Sequence, residues 1–74
     1  MNAPLNTKQM EALRILFDLG EWVTATRMNG FARSTGDALV RRNLAERRLE
    51  GIGTIEWAKY RITLAGRAVV EGEQ

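Results

Sequence analysis

The sequence predicts one small α+β domain, mostly helical: a three-helix core, a two-stranded hairpin and a short C-terminal helix. Three observations lead there. Apolar residues recur at three- and four-residue spacings early in the chain, as a half-buried helix requires. Capping residues and glycines then divide the middle into further helices. After Gly53 the apolar period changes from helical to alternating, the mark of strands. The whole chain, 1–74, is read as a single domain with an ordered core over about 5–71.

The first helix is expected over residues 7–19. Asn6 can cap it, Gln9 at the third helical position can reach back, and Leu5 can staple against Met10. Met10, Leu13, Leu16 and Phe17 form its buried face, widened by Ala12, Ile15 and Leu19, and Gly20 is a left-handed terminator. Glu21-Trp22-Val23 reads as a minimal strand. Thr24 is expected to cap a second, short helix over 25–29 that Gly30 ends. Ser34 or Thr35 would cap a third helix running to about Glu50, with Asp37 near its positive end and Gly51 and Gly53 breaking it. That third helix lacks a clean apolar stripe, because Arg41 and Arg48 fall between Val40, Leu44 and the Ala38–Ala45–Leu49–Ile52 face. A bend or an early end is the alternative.

Residues 54–57 and 59–64 are expected to pair as a hairpin with a short turn near Ala58. Thr63 can cap a last helix to Glu71. The expected core includes Leu13, Phe17, Trp22, Phe31, Tyr60, Ile62 and Leu64, with Met10 and Met28 as gap-fillers. Trp57 either packs under the hairpin or stands exposed.

Composition narrows the chemistry. The chain has no His and no Cys, which argues against a soft zinc site and removes His- or Cys-based nucleophilic catalysis. No catalytic residue, metal or cofactor is expected, and the scattered carboxylates read as surface ion pairs. No apolar run is long enough to span a bilayer and the N-terminus does not read as a signal peptide, so a cytoplasmic setting without membrane contact is expected. Charge is uneven. Between Arg27 and Arg48 six Arg face two acids, a net +4, whereas five bases and seven acids elsewhere leave −2. A basic middle points to one positive face suited to phosphate.

Helix, strand, two helices and a hairpin is the winged helix-turn-helix order. Arg48-Leu49-Glu50-Gly51-Ile52 resembles the end of a recognition helix in MarR-like and PadR-like transcription regulators. Tyr60, Ile62, Thr63 and Gly66 are similar to the Tyr, Leu, Thr and Gly of the segment that those families place at the second wing strand and the following helix. Ala45 stands where they usually carry a larger apolar residue, the hairpin reads as shorter, and the long dimerisation helices of the MarR-like proteins have no counterpart here. The resemblance implies sequence-specific binding of double-stranded DNA, with helix 34–50 in the major groove, and transcriptional regulation.

The candidate DNA-binding residues are Arg27, Arg33, Ser34, Thr35, Asp37, Arg41, Arg42, Asn43, Lys59 and Arg61. Arg suits guanine edges, Asn suits adenine, and Ser34 and Thr35 with nearby amides suit phosphate. Asp37 would accept from cytosine or orient an Arg. Lys59 and Arg61 would touch phosphate or the minor groove. Arg47 and Arg48 are expected to pair with Glu46, Glu50 or Asp18 instead. The competing reading is a winged helix that binds protein, such as RNA polymerase or another nucleic-acid machine. Either a monomer or a weak homodimer fits, the latter through the first or the last helix.

Overall fold

A computed structural model describes residues 4–72. Its elements run α1 (Thr7–Leu19), β1 (Val23–Thr24), α2 (Arg33–Arg41), β2 (Ala45–Ile52), β3 (Ile55–Ile62) and α3 (Leu64–Gly72). The three strands form one antiparallel sheet in the order β1-β3-β2, and the domain is elongated, 41 × 24 × 20 Å.

Both terminal helices match their sequence signals. Asn6 accepts from the Gln9 amide (2.8 Å) while the Gln9 side chain accepts from the Asn6 amide (3.2 Å), a reciprocal capping box. Gly20 ends α1 in the left-handed region (φ 68°), donating to the Leu16 carbonyl. Thr63 caps α3: its hydroxyl accepts from the Gly66 amide (3.0 Å) and donates to the Asn43 carbonyl (2.8 Å). Gly66 lies beneath the connection into the sheet, where a Cβ would meet the Leu44 carbonyl and the Ile62 side chain.

The middle of the chain departs from expectation. Residues 25–29 are not a helix. They turn tightly, with Asn29 N–H donating to the Thr26 carbonyl and Gly30 N–H to that of Arg27, while the Asn29 side chain donates to Thr24 O (2.7 Å). Of the segment only Ala25 packs against the core, too little to hold a helix, and Met28 is 96% exposed, not a gap-filler. The helix expected over 34–50 ends at Arg41. Asn43 takes a left-handed conformation (φ 66°) and the chain reverses into β2. Ala45-Glu-Arg-Arg-Leu-Glu is made of good helix formers, and tertiary pairing overrides that preference.

The hairpin is correspondingly longer than expected and turns elsewhere. β2 and β3 pair over eight residues each, from Ala45↔Ile62 to Ile52↔Ile55, around Gly53-Thr54, where Gly53 has φ 62°. Ala58, expected at the turn, is a buried mid-strand residue opposite Leu49. Residues 54–57 and 59–64 therefore do not pair with each other.

The core gathers Ala12, Leu13 and Leu16 of α1, Leu39 of α2, Val70 of α3, and Val23, Ala45, Ala58, Tyr60 and Ile62 of the sheet, with Phe31 from the connection. Phe31 meets Tyr60 edge-on at 5.9 Å between centroids. Phe17 and Met10 are half-buried at its margin, as are Trp22 and Trp57. Leu64, expected inside, opens α3 with its side chain turned outward and is 86% exposed.

This burial pattern ranks truncations. Leu16→Ala should cost about 2–5 kcal/mol, much of the stability of so small a domain. Phe17→Ala should cost clearly less than Leu16→Ala, and Leu64→Ala should stay within about 0.5 kcal/mol of the parent. Urea denaturation of the three variants measures the order. A Leu64→Ala loss rivalling that of Leu16→Ala would refute this packing.

Candidate nucleic-acid interface

The basic middle of the chain lies on α2, the connection before it and β2. What positions α2 is its seat on Tyr60. Gly36 and Leu39 are its buried residues, and a Cβ on Gly36 would stand 2.7 Å from the Tyr60 ring. Glycine at a helix interior costs about 0.5–1 kcal/mol relative to Ala; here it lets the helix backbone lie directly on an aromatic face. The Tyr60 hydroxyl donates to Asp37 Oδ1 (2.5 Å) and lies 3.2 Å from the Arg33 carbonyl. Arg47 of β2 reaches the same Asp37 oxygen at 3.2 Å. One carboxylate thus ties α2 to both strands of the hairpin.

The ionisation equilibria follow. Asp37 is held below the usual carboxylate range, chiefly by the Tyr60 hydrogen bond and further by Arg47 and Arg33, against an opposing desolvation. Burial, then the Asp37 carboxylate, pushes the Tyr60 hydroxyl up to about 12.

The predicted site residues fall into two groups. The first surrounds α2. Arg27 in the 26–30 turn, and Arg33 and Ser34 in the first turn of α2, are exposed, and Thr35 is half-buried. Ser34 and Thr35 do not cap α2: its N-cap is Ala32, which supplies no side-chain hydrogen bond. With Lys8, Glu11, Thr26 and Arg27 they line a shallow groove between the starts of α1 and α2, in which one acid stands beside the two bases. Seven residues bring a helix back to the same face, so Ser34 and the exposed Arg41 lie in line. Arg42 and Asn43 lie beyond the helix. Arg42 is the half-buried C-cap, and Asn43 forms the left-handed turn whose carbonyl Thr63 engages. Asp37 serves the lock just described.

The second group lies on the solvent face of the sheet. Lys59 is mid-strand, not at the hairpin tip, and its Nζ is 3.1 Å from Glu50, whose carboxyl Lys59 and Arg48 hold below its ordinary range. Arg61 binds Glu46 (2.8 Å) and Arg48 binds Glu50 (2.5 Å). Both guanidinium groups stack on Trp22, at 4.7 and 4.8 Å from its centroid. Arg48 and Glu50 pair as expected, while Arg47 takes Asp37 and not the neighbours the helical reading offered. The three sheet-face cations are thus all paired, with Glu50 shared by two of them. Arg33 lies 3.9 Å from Glu56. Among the described residues, Lys8, Arg27, Arg41 and Arg67 enter no ion pair, and Arg67, on α3, lies over the Phe17 ring instead.

The double arginine stack on Trp22 escaped the sequence reading, which placed that ring in the core; its signal was the basic alternation of β2 and β3 on either side of an unpaired aromatic. The Gly36–Tyr60 seat also escaped it, although a glycine inside a helical stretch is a mark of close approach. Among the described residues no cluster of acidic side chains could hold a metal ion, and no helix is long and apolar enough to cross a membrane. The chain matches no protein-family model, no curated protein and no solved structure.

The lock is measurable because Tyr60 is the chain's one tyrosine. Tyrosinate absorbance should rise at about pH 12 in the folded protein. In Asp37→Ala it should move down toward the ordinary value of 10.0. The raised Tyr60 value means that its stabilisation is complete below pH 10 and is lost as pH climbs toward 12. The lowered Asp37 value adds stability above the ordinary carboxyl value of 3.8 that is lost as pH falls through the folded value. An unchanged tyrosine titration in Asp37→Ala would exclude the lock.

Proposed function

We propose that this domain binds double-stranded DNA as a reduced winged helix-turn-helix. In this reading the 26–30 turn stands in for the first helix of the motif, α2 is the recognition helix, and the β2–β3 hairpin is the wing. The order β1-β3-β2, with α2 entering between β1 and β2, supports it. The observation that carries it is the distribution of uncompensated charge. The sheet-face cations are tied to Glu46 and Glu50, whereas Lys8, Arg27 and Arg41 border the exposed side of α2 without ion pairs among the described residues.

On this proposal the Ser34–Arg41 face of α2 enters the major groove. Arg41 meets a base edge, and Arg27 and Lys8 meet phosphates beside the groove at the start of α2. A nine-residue helix is about 13 Å long, enough to cross the groove. Such a domain would act as a small transcriptional regulator. A second reading rests on the hairpin end, where Ile52 and Ile55 are 75% and 68% exposed: a winged helix that docks on a protein.

The two readings separate on salt. Amide resonances of residues 27 and 33–41 should shift on adding duplex, and the shifts should fade steeply with salt, at a log-log slope of about −0.9 per phosphate contact. Arg27→Ala should weaken all sequences alike and flatten that slope by about one unit. Arg41→Ala should cost about 1–3 kcal/mol and relax preference at one base position. No shift with any duplex at low salt would overturn DNA binding in favour of the protein-docking reading. Tight binding untouched by Arg41→Ala would overturn the choice of α2 as the reading surface.

A further inference from the structure

β2 is an edge strand: among the described residues the sheet order leaves one side of it without a neighbour. It is eight residues long and carries no proline, so two of the usual protections of a free edge are missing. Its hydrogen-bonding phase follows from its partner. Ala58 gives its carbonyl to the Ala25 amide of the β1 segment (3.1 Å), so Ala58 faces β1. A residue in an antiparallel strand turns its N–H and C=O to the same side, and the side alternates along the strand. Leu49, opposite Ala58, therefore turns both groups to the open edge, and so do Arg47 and Gly51.

The side chains alternate in step. Ala45, Arg47, Leu49 and Gly51 share the face that the core residues Ala58, Tyr60 and Ile62 occupy on β3. Glu46, Arg48, Glu50 and Ile52 lie on the outer face. Leu49 is 47% exposed.

We infer that β2 pairs with β2 of a second copy of this chain, antiparallel, about a two-fold axis at Leu49. The register is chosen by charge and by backbone phase together. With Leu49 against Leu49, the outward N–H and C=O groups of both strands meet. Arg48 faces Glu50 of the second copy, and Glu50 faces Arg48, at non-hydrogen-bonded positions, where side chains approach most closely. Arg47 faces Gly51, whose missing side chain leaves it room. Moving the axis to Arg48 sets Arg48 against Arg48 and Glu46 against Glu50, all like charges. Moving it to Arg47 sets two arginines on the axis. An axis between residues brings outward groups against inward ones. Within one copy Lys59 already holds Glu50 (3.1 Å), which frees Arg48 to change partners.

The pairing joins two three-stranded sheets into one of six strands. It does not depend on the DNA-binding reading, and its test contains no DNA. Sedimentation equilibrium of the full chain from about 10 μM to about 1 mM should show a reversible monomer–dimer equilibrium. Arg48→Glu and Glu50→Arg should each weaken the dimer by about tenfold or more, because each places like charges opposite one another twice. The double variant Arg48→Glu/Glu50→Arg should return to within about threefold of the parent, because the pairs are re-formed with their signs exchanged. Leu49→Pro removes an N–H that no strand of its own copy uses, and should leave a folded monomer by circular dichroism. The chain has no cysteine, so Leu49→Cys should oxidise to a disulfide-linked dimer, the two Cα atoms lying about 5.5 Å apart across the axis. A monomer at every concentration would overturn the proposal. So would single reversals that leave association unchanged, or a double reversal that fails to restore it.

Discussion

Tyr60 lying on Gly36 is the contact on which the arrangement of this domain depends. The ring is fully buried on β3, where that strand runs between β1 and β2. Phe would keep the ring but lose the hydroxyl, whose bond to Asp37 sets the rotation of α2 about its own axis. With Gly36 and Asp37 both committed to Tyr60, the opposite face of α2, from Ser34 to Arg41, is the one left to solvent. The exposed surface of α2 is thus a consequence of how its hidden surface is held.

The same contact explains why the hairpin can extend well past the body. Asp37 also takes Arg47, so β2 is anchored two residues into the strand. From there β2 and β3 lean chiefly on each other. β1 reaches β3 only at Tyr60 and Lys59, with one further bond to Ala58. Beyond Ala58 the ribbon has two strands, and a lone two-stranded ribbon is marginal in water. The outer-face ion pairs and the Trp22 stack brace its base. Individually such exposed pairs contribute little; sharing Glu50 and Trp22 connects them into one network over β2, β3 and the residue before β1.

Legibility in the sequence followed the range of the interactions. Asn6–Gln9, Gly20 and Thr63–Gly66 act over three or four residues, and each marks its helix boundary where the structure has it. Strand pairing acts over longer range, and there the local signal misleads. Residues 45–50 prefer helix by composition, and only the pairing with β3 makes them a strand. The arginines that spoiled the apolar stripe of the supposed long helix were the available clue. Arg41 and Arg48 fit no buried helical face because they belong to two elements with different periods. Of the candidate site, Arg33, Ser34, Thr35 and Arg41 lie on α2 with Arg27 in the turn before it, while Arg47 and Arg48 of the same basic stretch are engaged by Asp37 and Glu50. Lys59 and Arg61 do not join them, because a hairpin beginning at Ala45 moves both onto the outer sheet face.

That displacement bears on how the molecule divides its surfaces. Arginine is used here in two ways that composition cannot separate. Arg48 and Arg61 spend their charge on glutamates and their planar faces on Trp22, which holds the sheet together and leaves that face nearly neutral. Among the described residues Arg27 and Arg41 enter no ion pair. A small domain gains little from placing uncompensated cations beside one helix, since surface charge alone adds almost nothing to stability. The DNA-binding proposal rests on this difference between arginines held by glutamates and arginines left to solvent.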